Sequence, residues 1–297
     1  MRKRRFHAEN IFDIFNYAFL AALGLVCLLP FINVIAVSFS DAGAIATVPI
    51  FFWPENFTLE NYAMAMDKPR FLISMGNSLL KVFLGVTCNM LMTILTAYPL
   101  SKSAKAFKGR TFFSWFFVVT MLIGGGLIPT YLIVIWTGLK NTIWALVLPG
   151  VLPVYNMVIL LNFFRQLPHE LEESAVIDGA GDFRIMAQIF VPLSIPCLAT
   201  LLIFLTVGHW NDWFSGALYL DRINDYPLAT YMHNALKRPD FDQISQMNDA
   251  DRARVLNISP RGLSSAQIVM STLPIVMVYP FLQRYFVKGM TLGALKG

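Results

Sequence analysis

The feature that most constrains this chain is a set of six long runs that are rich in apolar residues and almost free of charge. They occupy residues 14–39, 71–100, 111–135, 143–164, 191–218 and 264–287. A helix needs about 20 apolar residues to cross the hydrocarbon core of a bilayer, so each run is long enough for one crossing. Only Lys81 and Asp212 place a formal charge well inside a run. The sequence therefore predicts an all-α membrane protein with six transmembrane helices.

Composition and cysteine placement agree with this prediction. Hydrophobic residues make up 56% of the chain and charged residues only 14%, well below the roughly 25% that is usual in soluble domains. Cys27, Cys88 and Cys197 all fall within apolar runs, so we expect small buried side chains and neither a disulfide framework nor a metal site. We expect this chain to bind no cofactor of its own.

Lysine and arginine predict the orientation, because cytoplasmic loops carry the excess of both. With both termini in the cytoplasm, 13 of these residues lie on the cytoplasmic side and 9 outside. This predicts a cytoplasmic tail at 1–13, a membrane domain at 14–288 and a cytoplasmic tail at 289–297 in a multi-pass membrane protein. The basic N-terminus precedes a run too long for a cleaved signal peptide, so we expect an uncleaved first helix. Long loops remain at 165–190 inside and 219–262 outside.

Two segments carry strong backbone signals. Gly124, Gly125 and Gly126, followed by Pro129, predict a kink or local unwinding, which serves either tight helix packing or a flexible pore-lining break. In the loop 165–190, Pro168 and a cluster of glutamates predict the start of a short helix, and Gly179 or Gly181 predicts its end. A second short helix is predicted from Asp182.

The spacing within that loop resembles a known motif. Glu173, Ser174 and Ala175, then Gly179, then Ile189 to Pro192 resemble the EAA loop of ABC importer permeases, with Ser174 and Val191 as mild departures. The resemblance implies that Glu173, Ser174, Ala175, Asp178 and Gly179 form a coupling helix that docks on an ATP-binding subunit. Glu172 is rotated by about 100° around the helix, so we expect it to point away from the contact made by Glu173.

Much of the remaining chain is similar to carbohydrate-importer permeases of the maltose type. The segments concerned are 58–62, 77–78, 97–102, 210–213 and 289–297. The resemblance implies the type I permease fold, a heterodimer with a second permease, two ATP-binding subunits that hold ATP and Mg²⁺, and an extracytoplasmic solute-binding protein. It also implies that the tail, with Gly289, Gly293 and Gly297, reaches the ATPase interface, and that the loop 219–262 reaches the binding protein.

Segments 124–131 and 138–146 are similar to the branch that imports oligosaccharides derived from polysaccharides, including alginate and pectin-type fragments. We therefore expect an oligosaccharide substrate, and an acidic one such as alginate. Polar residues within the runs are candidates for the translocation path, because polar groups in lipid are costly. These candidates are Asn77, Asn156, His209 and Asn211. The alternative role for each is interhelical hydrogen bonding, and Lys81 either pairs with Asp212 or extends towards polar surroundings.

The chain has no G-x-x-x-x-G-K-[ST] motif, so the ATPase is expected to be another polypeptide. The second histidine of a zinc-protease motif after His169 and a G-x-S-x-G esterase motif are also missing. The sequence thus predicts a non-catalytic translocation subunit of an ABC importer. The alternative is an independent secondary carrier, which usually shows ionisable coupling residues and internal repeats. A membrane-embedded enzyme is the third hypothesis.

Overall fold

The computed structural model describes residues 2–67, 69–237 and 259–294, and side chains within a narrower set of these. The described part is helical, with one isolated antiparallel bridge between Ser40 and Phe57 and no strands. The α-helices are α1 Arg2–Ser38, α2 Ala42–Thr47, α3 Glu60–Asp67, α4 Pro69–Ser101, α5 Arg110–Leu122, α6 Leu127–Trp136, α7 Val154–Arg165, α8 His169–Ile177, α9 Asp182–Ile185, α10 Val191–Leu193, α11 Ile195–Asn211, α12 Phe214–Tyr219, α13 Leu228–Lys237 and α14 Pro260–Ala294. Short 3₁₀ turns cover Ile143–Leu146, Leu148–Gly150 and Ile223–Asp225, and a π-helical segment covers Met186–Phe190.

Two helices are long and apolar enough to cross a bilayer unaided. They are Phe12–Ser38 within α1, which continues through Pro30, and Pro69–Ser101, which is α4. Many large apolar side chains of α1 and α5 are exposed, which suits a surface that meets lipid or another subunit. The structure thus confirms long helices for the first two predicted spans.

The next three runs form bent pairs of helical segments. The axes turn by 112° between α5 and α6, by 49° between Ile143–Gly150 and α7, and by 81° between Asp182–Leu193 and α11. Glycine and proline explain the breaks: Gly126 adopts a φ of +86° before α6, and Ser194 lies between Pro192 and Pro196, neither of which can donate a backbone hydrogen bond. The predicted kink at Gly124–Gly126 is confirmed.

The runs 143–164 and 191–218, each predicted as one transmembrane span, are not continuous helices in the structure. The first begins as 3₁₀ turns, and the second is interrupted at Ser194 and again at Asp212. Among the described residues two helices can cross a membrane, or up to five if each bent pair counts as one crossing. The sixth predicted span lies within α14. The count of six stays a prediction.

The chain divides into two compact units, which are described separately. In the unit of residues 1–69 and 234–273, the amide of Asn61 donates to the backbone oxygens of Ser38 and Ser40, at 3.1 and 3.0 Å. This ties α3 to the end of α1. In the unit of residues 70–233 and 274–297, the main core gathers the C-terminal end of α4, helix α7, the segment ending at Phe190, and the start of α11. That core is the support on which α8 rests.

Candidate functional site

Helix α8 ends in a hydrogen-bonded turn that only glycine fits comfortably. The backbone N–H of Ala180 donates to the oxygen of Ala175 at 2.9 Å, and the N–H of Gly179 donates to the oxygen of Val176 at 3.0 Å. These are the two bonds of a Schellman motif, which places Gly179 in the left-handed region with a φ of +79°. Of the two predicted stop residues, Gly179 is therefore the one that ends α8, and the predicted helix from Asp182 is confirmed as α9.

The predicted coupling residues divide into an exposed group and a packed one. The side chains of Glu173, Ser174 and Asp178 are exposed, whereas Ala175 packs against the core. Next to them lie apolar side chains that are unusually open: Val176 is 58% exposed, Ile177 84% and Phe183 77%. The loop thus presents exposed carboxylates, among them Glu173 and Asp178, together with exposed apolar side chains.

Glu172 has a partner that sequence reasoning missed, and its orientation away from the contact of Glu173 stays a prediction. Its Oε1 lies 2.7 Å from Nζ of Lys102, in an ion pair whose side chains are 25% and 10% exposed, respectively. Glu172 therefore cannot serve as an inert control for Glu173. The available signal was the basic residue directly after α4, although nothing local shows which glutamate faces it.

Three aromatic rings form the floor beneath this ion pair. Tyr98, Phe164 and Phe190 meet edge to face, with ring centroids 5.1 to 6.4 Å apart. The Lys102 ammonium lies 4.1 Å from the centre of the Tyr98 ring and 4.4 Å from that of Phe190. Beside them, the guanidinium of Arg165 donates to the backbone oxygen of Leu100 at 3.1 Å and so satisfies a carbonyl in the last turn of α4.

An open cavity of about 480 Å³ adjoins the exposed side of α8. Its lining includes Lys102, Arg165, His169, Glu172 and Glu173. Charged groups of both signs therefore border a space large enough for side chains of another protein.

A second buried charge pair lies in the middle of α4. The ammonium of Lys81 contacts Oδ2 of Asp212 at 2.8 Å, the backbone oxygen of Asp212 at 2.9 Å and the hydroxyl of Ser215 at 3.4 Å. The Ser215 hydroxyl and backbone N–H both donate to the Asp212 carboxylate. Of the two alternatives left open by the sequence, pairing of Lys81 with Asp212 is confirmed.

About two turns further along α4, a histidine reaches a buried amide. Nε2 of His209 lies 2.5 Å from Oδ1 of Asn89, and the Asn89 side-chain nitrogen donates to the backbone oxygens of Gly150 and Val151 at 2.7 and 2.9 Å. The imidazole ring lies directly over Gly85, where any Cβ would come within 2.5 to 2.8 Å of it. Helix α4 is thereby bonded to α11 and to the turn before α7.

The structure does not gather the four path candidates into one site. Asn77 donates to the backbone oxygens of Asn224 and Tyr226, His209 meets Asn89, Asn156 is buried within α7, and Asn211 is exposed at the end of α11. Their place in a translocation path stays a prediction. Gly289 and Gly293 lie in α14, and Gly297 lies outside the described residues.

Bilayer-length apolar helices and a polar two-helix loop packed on the core fit a membrane transport component. The chain belongs to the family described as binding-protein-dependent transport system inner membrane component, whose model matches residues 3–292.

Three relatives align with nearly the whole chain. Protein LplC of Bacillus subtilis (strain 168) is 39% identical, over 98% of this chain and 96% of its own length. The polygalacturonan/rhamnogalacturonan transport system permease protein YtcP of the same strain is 35% identical, over 97% and 99%. The trehalose/maltose transport system permease protein MalG of Thermococcus litoralis is 30% identical, over 93% and 94%.

Solved structures show the same fold. A chain of a bacterial ABC transporter involved in the import of the acidic polysaccharide alginate superposes with a TM-score of 0.86 at 27% identity, over 94% of this chain and 98% of the other. A chain of a bacterial alginate ABC transporter, in complex with an alginate pentasaccharide-bound periplasmic protein, gives 0.52 at 16% identity. The fold is therefore that of an ABC importer permease.

Proposed function

We propose that this chain forms half of the translocation path of an ATP-driven oligosaccharide importer and is coupled to its motor through α8. The observation that carries the proposal is the exposed surface of the loop, where Glu173 borders one cavity with Val176 and Ile177, and Phe183 of the following helix is exposed as well. A polar loop outside the bilayer gains nothing from exposing three large apolar side chains to water. Contact with another protein would bury them and stabilise the complex.

The ATP-binding subunit is the partner that we assign to this surface. A charge-assisted hydrogen bond of Glu173 to a basic or amide group would fix the orientation of α8, and such bonds contribute about 1.5–3 kcal/mol. The core-packed Ala175 and the glycine turn hold α8 firmly on the membrane domain. A push on the loop is then passed to the helices beneath it.

The family and the solved neighbours support a larger assembly around this chain. We propose a second permease as heterodimer partner, two ATP-binding subunits that hold ATP and Mg²⁺, and an extracytoplasmic solute-binding protein that contacts the loop 219–262. The complex would lie in the bacterial inner membrane, with both termini of this chain in the cytoplasm. The tail with Gly289, Gly293 and Gly297 would lie at the ATPase interface, and this chain itself would catalyse no reaction.

For the substrate we propose an acidic oligosaccharide rich in uronic acids. Two similar proteins are named for polygalacturonan and for alginate, both of which are polymers of uronic acids. The buried cation Lys81 is already neutralised by Asp212, so it is not available to bind a substrate carboxylate. Selection for negative charge would then rest with the binding protein and the second permease. Uptake of oligogalacturonate and oligoalginate, compared with uptake of neutral maltotriose, would test the preference for acidic substrates.

Replacement of Glu173 tests the coupling role. In a complex reconstituted with its ATP-binding subunits, we expect Glu173→Ala to lower transport and stimulated ATP hydrolysis by about tenfold, the equivalent of one bond of about 1.4 kcal/mol. The matched control is Glu170→Ala, since Glu170 is an exposed glutamate in the first turn of the same helix. Equal, normal activities of both variants would remove the coupling role, and transport by the chain without ATPase partners would favour a secondary carrier.

The proposed topology has its own test. Single cysteines at Ala104 and Asp249, in a background without other cysteines, should react with a membrane-impermeant reagent from opposite sides of the membrane. Reaction of both cysteines from the same side would reject the assignment of these two loops to opposite sides of the membrane.

A further inference from the structure

We propose that Lys102 is a positioning residue that transmits the movement of α8 to α4, an inference that rests on the proposed coupling function. Lys102 lies one residue beyond the end of α4, and its ammonium turns back over Tyr98, one helical turn earlier. On its other side it meets Glu172 of α8. One side chain thus joins a long apolar helix to the helix that we assign to ATPase docking.

The ammonium of Lys102 is largely removed from water, so its contacts with the protein must replace that water. With only 10% of its side chain exposed, Lys102 has lost most of its hydration, which is costly unless other groups replace the water. Glu172 supplies an opposite charge at 2.7 Å, and the rings of Tyr98 and Phe190 supply two π faces within the range of cation–π attraction. The position of the ammonium is therefore set by three elements at once.

These elements belong to separate parts of the helix bundle. Tyr98 belongs to α4, Glu172 to α8, and Phe190 to the π-helical segment that leads towards α11. Through its contacts with the other two rings, Phe164 brings in α7. A displacement of α8 larger than these side chains can absorb would either break the ion pair or carry the end of α4 with it.

Glu172 and Glu173 border the same cavity but have different surroundings. Glu172 pairs with Lys102, while the adjacent Glu173 is exposed and is the residue that we assign to the motor. Although Nζ of Lys102 and Oε1 of Glu172 are close, Nζ has no hydrogen bond of good geometry among the described residues. The link is an electrostatic tether, which tolerates small rotations of α8 better than a set of directional bonds would.

Spin-label distances across the tether test the inference without any sugar. The labels are placed at Ala104 and Glu170, two exposed positions beside the tether, in the complex with its ATP-binding subunits, with and without a non-hydrolysable ATP analogue. In the wild type we expect one narrow distance distribution in both states. In Lys102→Met, which keeps the apolar stem and loses the charge, we expect a broadened distribution that changes with nucleotide.

Activity of the same complexes gives the second readout. We expect Lys102→Met to reduce the stimulation of ATP hydrolysis by the binding protein at least about fivefold, the lower end of usual coupling factors. Lys102→Arg should retain stimulation, since guanidinium groups also pair with carboxylates and stack on rings. The control is Lys105→Met, an exposed lysine three residues on.

The outcomes separate this inference from the proposed function. A coupled wild-type complex together with a Lys102→Met complex of unchanged distances and stimulation overturns the role of Lys102 alone. A wild-type chain that does not bind ATP-binding subunits overturns both. If Lys102→Met does not assemble, Glu172→Gln with Glu170→Gln as its control provides the same comparison, and equal behaviour of that pair contradicts the tether.

Discussion

Helix α4 contacts two acidic partners through two lysines, and the two contacts differ in kind. Lys81 in the middle of the helix is fully buried, and three oxygen atoms surround its ammonium. Lys102 just beyond the C-terminal end meets one carboxylate oxygen and two aromatic rings. The first lysine is fixed by directional bonds, and the second is attracted from several sides without a well-formed hydrogen bond.

The difference indicates which end of α4 can move. Directional bonds to Asp212, together with the bonds around Asn89, lock α4 to the break between α11 and α12 and to the turn before α7. A rigid frame around the middle of the helix and a compliant tether at its end suit a subunit that must pass on motion while its helices stay packed. We infer that the middle of α4 carries stability and that its C-terminal end carries coupling.

Breaking the Lys81 pair should have the largest effect. Asp212→Asn leaves an ammonium with no compensating charge and no exposure, and should destabilise the protein by about 3 kcal/mol, the lower end of the range for a buried pair, since Asp212 is itself a third exposed. Lys81→Met should cost less, because the remaining carboxylate is 33% exposed and can be hydrated. Thermal unfolding of the purified complex measures both.

The double variant Lys81→Met/Asp212→Asn sharpens the comparison. Once both charges are absent, we expect part of the stability lost in Asp212→Asn to return. A double variant no better than Asp212→Asn alone would mean that the bonds of Asp212 to Ser215, and not its charge, hold the break.

The next largest effect is expected at the close approach of His209 to α4. Gly85→Ala would place a methyl group 2.5 to 2.8 Å from the imidazole and force the ring off Asn89, at about 1–3 kcal/mol. Gly76→Ala, in the same helix with no atom within 4 Å of its Cβ, should instead stabilise by about 0.5–1 kcal/mol through reduced chain entropy. Equal unfolding temperatures of the two variants would mean that the contact of His209 with α4 does not affect stability.

The comparison also shows what could be predicted from sequence. Local signals determine the long helices α1 and α4, the break at Gly124–Gly126 and a stop at Gly179 or Gly181, because apolar run length and glycine conformation act within a few residues. The Lys102–Glu172 pair joins residues 70 positions apart in the chain, and three glutamates of α8 were equal candidates until packing set the rotation of the helix. The prolines around Ser194 were visible, but the 81° turn depends on the core into which α11 packs.

A smaller effect is expected from the turn that ends α8. Gly179→Ala places a side chain at a φ of +79°, which costs about 1–2 kcal/mol in the left-handed region. We expect a modest loss of stability and a larger loss of stimulated ATP hydrolysis, because the turn orients α8 towards its partner. Gly181→Ala is the control, since Gly181 has a φ of −77° and open space at its Cβ. Equal ATPase activity of the two variants would show that the turn does not contribute to coupling.

The smallest effect is expected at a contact between the loop that follows α6 and the loop that follows α12. Asn141, itself at a φ of +63°, donates through Nδ2 to Oδ2 of Asp221 at 2.9 Å and accepts from the Asp221 backbone N–H at 2.7 Å, while Lys140 lies 3.0 Å from the same carboxylate oxygen. The hydrogen bonds from Asn141 and Lys140 lower the pKa of Asp221 below its ordinary 3.8, and the bond to Asp221 raises the pKa of Lys140 above 10.5.

These shifts set the sign of the pH dependence. A lowered carboxylate pKa stabilises the folded state above the ordinary value and is lost as the pH falls through the folded pKa, whereas a raised lysine pKa stabilises below 10.5 and is lost above it. The difference in unfolding temperature between the wild type and Asp221→Asn should therefore stay constant from about pH 5 to pH 9 and shrink at either extreme. Asp225→Asn, in the adjacent turn, is the control and should show a smaller difference throughout. A difference that varied across neutral pH would assign the effect to a group other than this pair.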